Sequence, residues 1–205
     1  MLSAIRRESN SLWNSSMSEK DGVIECWVAP EESGVERITT DAAHCDFWRV
    51  APTGRAFLIR GYQEDGQDEV PPGTIFDTTL PVWRLGEGLL HAARLAALLK
   101  RNDETEVVVR FRALYSGLTG RTLRSLRATL GDIEGHIAKS DETMLEAVIP
   151  ASKVMTNLAD AVYPLVASLY ERFGVAHLST DFVRAEIGRF QKDKFSDSRG
   201  RSTEG

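Results

Sequence analysis

The sequence has no long apolar run. Its most apolar stretch, Leu89–Leu99, is interrupted by His91 and Arg94. A membrane-spanning helix needs about 20 predominantly apolar residues, so neither a span nor a membrane partner is expected. Cysteine is nearly absent, with only Cys26 and Cys45. That excludes a disulfide-dense secreted scaffold and fits a reducing, cytoplasmic compartment. The segment Met1-Leu-Ser-Ala-Ile-Arg-Arg-Glu8 has no apolar core behind its basic pair, so no signal peptide is expected.

Chemistry-bearing motifs are missing too. No glycine-rich loop ends in Lys-Ser/Thr, and no Gly-x-Gly-x-x-Gly follows a strand; Gly86-Glu87-Gly88 falls inside a helical pattern. No strand-elbow serine motif is present. The histidines, His44, His91, His136 and His177, are scattered. Glu87 and His91 stand four apart on one helix face, but two ligands do not make a metal centre. His44-Cys45-Asp46 is no dyad, because successive strand residues point to opposite faces. No cofactor and no metal are implied.

The chain also lacks a basic excess, and its net charge of −5 argues against general nucleic-acid binding. The charge is unevenly spread. Residues 19–79 hold 13 acids and 5 bases, residues 81–128 hold 9 bases and 4 acids, and residues 129–188 are net −5.

A composition that is 42% hydrophobic can bury a proper core. Residues 1–21 are polar and Ser-rich, with Leu12 and Trp13 as their bulky apolar pair, and predict a tail or short helix. Val23–Val28 is β-branched and aromatic and predicts a strand ended by Pro30; a further short strand is expected at Val35–Thr39. Cys45–Val50 and Arg55–Tyr62 predict a hairpin about Ala51-Pro52-Thr53-Gly54, where Pro fixes φ and Gly supplies a positive φ. The acidic loop Gln63–Gly73 is expected at the surface, followed by the short segment Thr74–Thr79.

Pro81 suits a first helical turn. Val82, Leu85, Leu89, Ala92, Ala96 and Leu99 recur at helical steps. Gly86 and Gly88 cost helix stability and imply close approach to the sheet. Glu106–Tyr115 alternates, with Val107, Val109, Phe111, Ala113 and Tyr115 on one face and Val108, Arg110, Arg112 and Leu114 on the other. Ser116–Gly120 is a turn, from which Arg121–Leu126 is expected to pair back on that strand.

Residues 127–142 read as a connection, and Thr143–Ile149 as a last strand closed by Pro150. Val154, Leu158, Val162, Leu165, Val166, Leu169 and Phe173 form a helical stripe, with a kink expected at Pro164 and an end at Gly174. A second helix starts near Ser179-Thr180 and presents Phe182, Val183, Ile187 and Phe190.

The expected architecture is α+β: one mostly antiparallel sheet of six or seven strands with three main helices. It occupies a single domain over 22–190, followed by a disordered tail over 191–205. The aromatic residues Trp27, Phe47, Trp48, Phe57, Phe76 and Trp83 are expected in its core.

The best functional lead is an arginine surface. Arg110 and Arg112 share a strand face, and Arg121, Arg124 and Arg127 lie on the strand expected beside it. Guanidinium forks in such a strip suit carboxylate or phosphate. The plainer reading is a solvated face salt-bridged to Glu104 and Glu106.

Asp46-Phe-Trp-Arg-Val50, Gly54-Arg-Ala-Phe-Leu-Ile-Arg-Gly-Tyr62 and Leu80-Pro-Val-Trp-Arg-Leu-Gly-Glu-Gly-Leu-Leu-His91 together resemble the C-terminal region of bacterial Schlafen AlbA-type proteins, described as ATP-binding or transcriptional regulators. Leu118-Thr-Gly-Arg-Thr-Leu123 and Leu169-Tyr-Glu-Arg-Phe173 fit the same resemblance, which covers about residues 22–190. The AlbA-type domain itself is not found. The resemblance therefore implies an accessory module and transfers no functional residue to this chain.

The leading expectation is a non-enzymatic regulatory interaction module. It would dock an acidic protein, an AlbA-type domain or a nucleic-acid assembly through Arg110, Arg112, Arg121 and Arg124. Homo-oligomerisation is open, and a split-gene product is a third possibility. The rival reading is a small hydrolase or nuclease assembled from Asp46, Asp77, Glu87 and His91.

Overall fold

The computed structural model describes residues 13–30, 42–68, 70–101, 106–126 and 133–199. Leu12, the strand expected at Val35–Thr39, Glu104 and Arg127 lie outside these. The chain divides into two compact units, Met1–Ile75 and Phe76–Gly205. It is α+β, with four α-helices and antiparallel pairing among its described residues. The strands do not join in one sheet of six or seven; they form three sheets, of four, two and two strands.

The first unit is an antiparallel meander, β1 (Trp13–Lys20), β2 (Val23–Pro30), β3 (Asp46–Val50) and β4 (Ala56–Arg60), in that spatial order. β1 corrects the expectation of a tail or short helix. Its cause is the two-residue turn Asp21-Gly22, with φ of 53° and 73°, the left-handed pair of a type I′ hairpin. The second hairpin turns where expected: Gly54 N–H donates to the Ala51 carbonyl at 3.0 Å, and Ala51 N–H to Arg55 at 2.9 Å.

One sheet face carries Cys26, Trp48 and Leu58 as cross-strand neighbours, buried or half-buried. Burial pushes the Cys26 thiol above its ordinary 9.0. The other face carries Trp27, Phe47, Phe57 and Ile59. It is open at Trp27, Phe57 and Ile59, with Phe47 half-buried, which corrects the expectation that Trp27 and Phe57 are core.

The boundary falls within β5 (Ile75–Asp77), and the second unit goes on with α1 (Leu80–Leu99). It continues through β6 (Val108–Tyr115), β7 (Thr122–Arg124) and β8 (Thr143–Pro150). It closes with α2 (Ala151–Thr156), α3 (Leu158–Glu171) and α4 (Thr180–Arg199). The core gathers Val82, Leu85 and Leu89 of α1, Val162, Leu165 and Leu169 of α3, and Val183, Ile187 and Phe190 of α4. Phe76 stacks at 5.0 Å from Phe173.

The two α1 glycines separate in role. A Cβ on Gly88 would sit 3.2 Å from Phe111 of β6, whereas one on Gly86 would meet Ile187 and the helices. The expected stripe fades at its end, where Leu99 is exposed. The stripe expected on one helix is divided at Asn157, between α2 and α3 (φ −146°, ψ 78°), and Pro164, where a kink is expected, lies inside α3. α4 runs on to Arg199, past the polar composition from residue 191 that predicted disorder; no Gly or Pro interrupts residues 189–199. No helix among the described residues is long and apolar enough to cross a membrane.

β6 pairs with β8, not with β7, which pairs with β5. The turn after β6 explains the difference. Leu118 is fully buried, its N–H donates to the Asp141 carbonyl at 3.0 Å, and Thr119 N–H donates to Asp141 Oδ1 at 3.2 Å. The turn is thereby tied to the approach of β8. β7 runs instead beside residues 135–138, with Leu123 N–H donating to His136 at 2.8 Å.

Candidate interaction surface

The alternation of β6 places its side chains as the sequence predicts. Val109 is buried and Phe111, Ala113 and Tyr115 are half-buried, while Val108, Arg110, Arg112 and Leu114 face outward. β8 has the same period, with Thr143 and Leu145 buried and Met144, Glu146 and Val148 exposed. The register sets Arg110 beside Val148, Arg112 beside Glu146 and Leu114 beside Met144.

The two strands therefore share one uncovered face, with charge in the middle and apolar groups at both ends. Val108 is 53% exposed, Leu114 58%, Met144 52% and Val148 66%. Exposed large side chains are ordinary when scattered and informative when contiguous. Arg112 Nε meets Glu146 Oε1 at 2.8 Å, both side chains being well exposed. Among the described residues Arg110 has no ion-pair partner. Glu106 accepts from the Ser152 hydroxyl at 2.9 Å.

The other two predicted arginines lie elsewhere. Arg121 is 4% exposed and donates from Nε to the Gly117 carbonyl at 2.8 Å. Arg124 is exposed on β7, away from the β6–β8 pairing. The strip expected from a β6–β7 hairpin is thus replaced by an Arg110/Arg112 pair framed by β8. Nothing local in the sequence announces β8 as the neighbour, so no signal there marks Met144, Glu146 and Val148 as surface partners.

The residues of the rival reading are each engaged. Asp46 in the first unit forms a two-pronged pair with Arg60, Nε to Oδ1 at 2.7 Å. In the second unit, Asp77 is 1% exposed and caps α1 by accepting from the N–H groups of Thr79 and Leu80 at 2.7 and 2.8 Å. It also accepts from the Thr79 hydroxyl and from Leu126 N–H. Glu87 lies 3.9 Å from His91, as the four-residue spacing requires, and 3.4 Å from Arg84 on its other side. Among the described residues no three His, Cys, Asp or Glu side chains gather as metal ligands would.

Comparisons with protein-family models, curated proteins and solved structures find no match to the chain.

Proposed function

We propose that this chain is a non-enzymatic interaction module that docks an acidic protein segment on the outward face of β6 and β8. One observation carries the reading: Arg110, without an ion-pair partner among the described residues, stands exposed beside Val148 on a face that also shows Val108, Leu114 and Met144. A guanidinium among exposed apolar groups suits a carboxylate flanked by apolar side chains. A nucleic-acid backbone would leave the apolar groups uncovered. An accessory module of the kind implied by the resemblance to Schlafen AlbA-type C-terminal regions fits the same role.

The test is fluorescence anisotropy of the full chain with a labelled peptide of alternating Glu and Leu, against a labelled single-stranded DNA. The peptide is expected to bind more tightly than the DNA. Arg110→Ala/Arg112→Ala should weaken it about tenfold, the loss of roughly 1.4 kcal/mol. Peptide affinity unchanged in the double variant removes this face from the proposal. DNA binding that depends on the same arginines would replace the protein partner by a nucleic acid.

A further inference from the structure

The first unit has an uncovered apolar face of its own, and its charges differ in kind. The register sets Trp27 beside Phe47 and Phe47 beside Ile59, the first two rings lying 4.5 Å apart. One row along, Glu25 sits beside Arg49 and Arg49 beside Phe57. Trp27, Phe57 and Ile59 are 40%, 53% and 55% exposed. Glu25 and Arg49 approach to 3.4 Å with both side chains open to solvent. Aromatics surrounding a small charged element are the composition of an interface centre.

The two faces respond differently to a copy of themselves. On β6 and β8, a two-fold axis along the strands would set Arg112 over Glu146 but lay Arg110 of each copy over Val148, leaving two guanidinium groups in the contact without a counter-charge. On the first unit, one acid and one base lie side by side on the two central strands. Isologous contacts require self-complementarity, and this arrangement has it. A two-fold axis running along the strands between β2 and β3 lays β2 of one copy over β3 of the other. Glu25 then faces Arg49, Trp27 faces Phe47, and the bulky Phe57 lies over the small Ser18 of β1. Two sheets meeting in this way adopt the aligned geometry of a β-sandwich.

We propose that the outward face of the β1–β4 sheet is a homodimer interface, with the aromatic rows stacked and Glu25 of each copy paired to Arg49 of the other. This is independent of the partner assigned to β6 and β8.

Sedimentation equilibrium of the full chain tests it by charge reversal. The wild type is expected at twice the 22.7 kDa chain mass. Glu25→Arg alone and Arg49→Glu alone should each weaken dimerisation at least about tenfold. An equimolar mixture of the two variants should recover the dimer mass. Far-UV circular dichroism should be unchanged, because an exposed pair contributes little within one copy. Phe57→Ser, at an open position, should weaken the dimer without touching charge. A monomeric wild type at the highest soluble concentration overturns the proposal. So does a dimer indifferent to either reversal or to Phe57→Ser, or a mixture of folded variants that stays monomeric.

Discussion

Leu126 N–H donates to Asp77 Oδ2 at 2.9 Å, so one buried carboxylate ties the exit of β7 to the start of α1. Its other oxygen accepts from Thr79 N–H, the Thr79 hydroxyl and Leu80 N–H. Asp77→Ala would leave these donors without the acceptor, at a cost of about 3–5 kcal/mol, given roughly 1–3 for each buried group left unmade and partial relaxation. Asp77→Asn keeps an acceptor for the cap but turns an amide N–H₂ toward Leu126, and should cost less. Urea denaturation ranks the two. Equal midpoints for wild type and Asp77→Ala would show that the cap does not hold the unit together.

Two helical glycines make a matched pair. A Cβ on Gly188 meets nothing within 4 Å, whereas one on Gly86 would come within 2.8 Å of Ile187 Cδ1, a side chain 3% exposed. Gly188→Ala should therefore stabilise the protein by about 0.5–1 kcal/mol, the ordinary helix gain. Gly86→Ala receives the same gain but overfills a dense contact, and should be destabilising by a net of about 1 kcal/mol. Thermal melts of both variants decide it. If Gly86→Ala melts higher than the wild type, α1 does not approach α4 as closely as described.

The parts legible in the sequence are those governed by local period. The outward Arg110 and Arg112, the buried Val109, and the stripe from Val154 to Phe173 follow from spacing alone. Partner choice is not local, because β6 alternates identically whichever strand lies beside it. Asp141, holding the 117–119 turn, places β8 there, and no periodicity encodes that hydrogen bond. Arg121 looks like any strand arginine until the Gly117 carbonyl folds over to receive it. β1 had one readable signal, Asp21-Gly22, hidden because its own residues are polar and do not alternate. The open aromatic face follows a related rule: alternation says which residues share a side, not which side is covered.

Asp141 also makes stability depend on pH. Its carboxyl is held below the ordinary 3.8, first by Thr119 N–H, then by the Thr119 hydroxyl, with a lesser share from Gly117 N–H. A carboxyl depressed in the folded state stabilises the fold above its ordinary value and loses that contribution as pH falls through the depressed one. Asp141→Asn should therefore be less stable than the wild type at about pH 5–7, with the gap closing in acid below about pH 4. Urea titrations across that range measure it. A gap of constant size would mean that the ionised carboxylate is not what the turn uses.

Glu146 is the one acid within β6 and β8, and it neutralises Arg112 across the strand pair at 2.8 Å. Both side chains are exposed, so the pair adds little to stability, of order 0–1 kcal/mol. Its effect on an acidic partner is larger in sign: Glu146 repels the incoming carboxylates and occupies one of two guanidinium forks. Glu146→Gln should leave the melting temperature nearly unchanged while tightening the Glu/Leu peptide several-fold, about 1 kcal/mol. The salt dependence should steepen, because both arginines then face the partner unscreened by a neighbour. Unchanged or weakened peptide binding in Glu146→Gln would mean that the partner is not recognised by its negative charge, and that the apolar side chains of β6 and β8 act without the arginines.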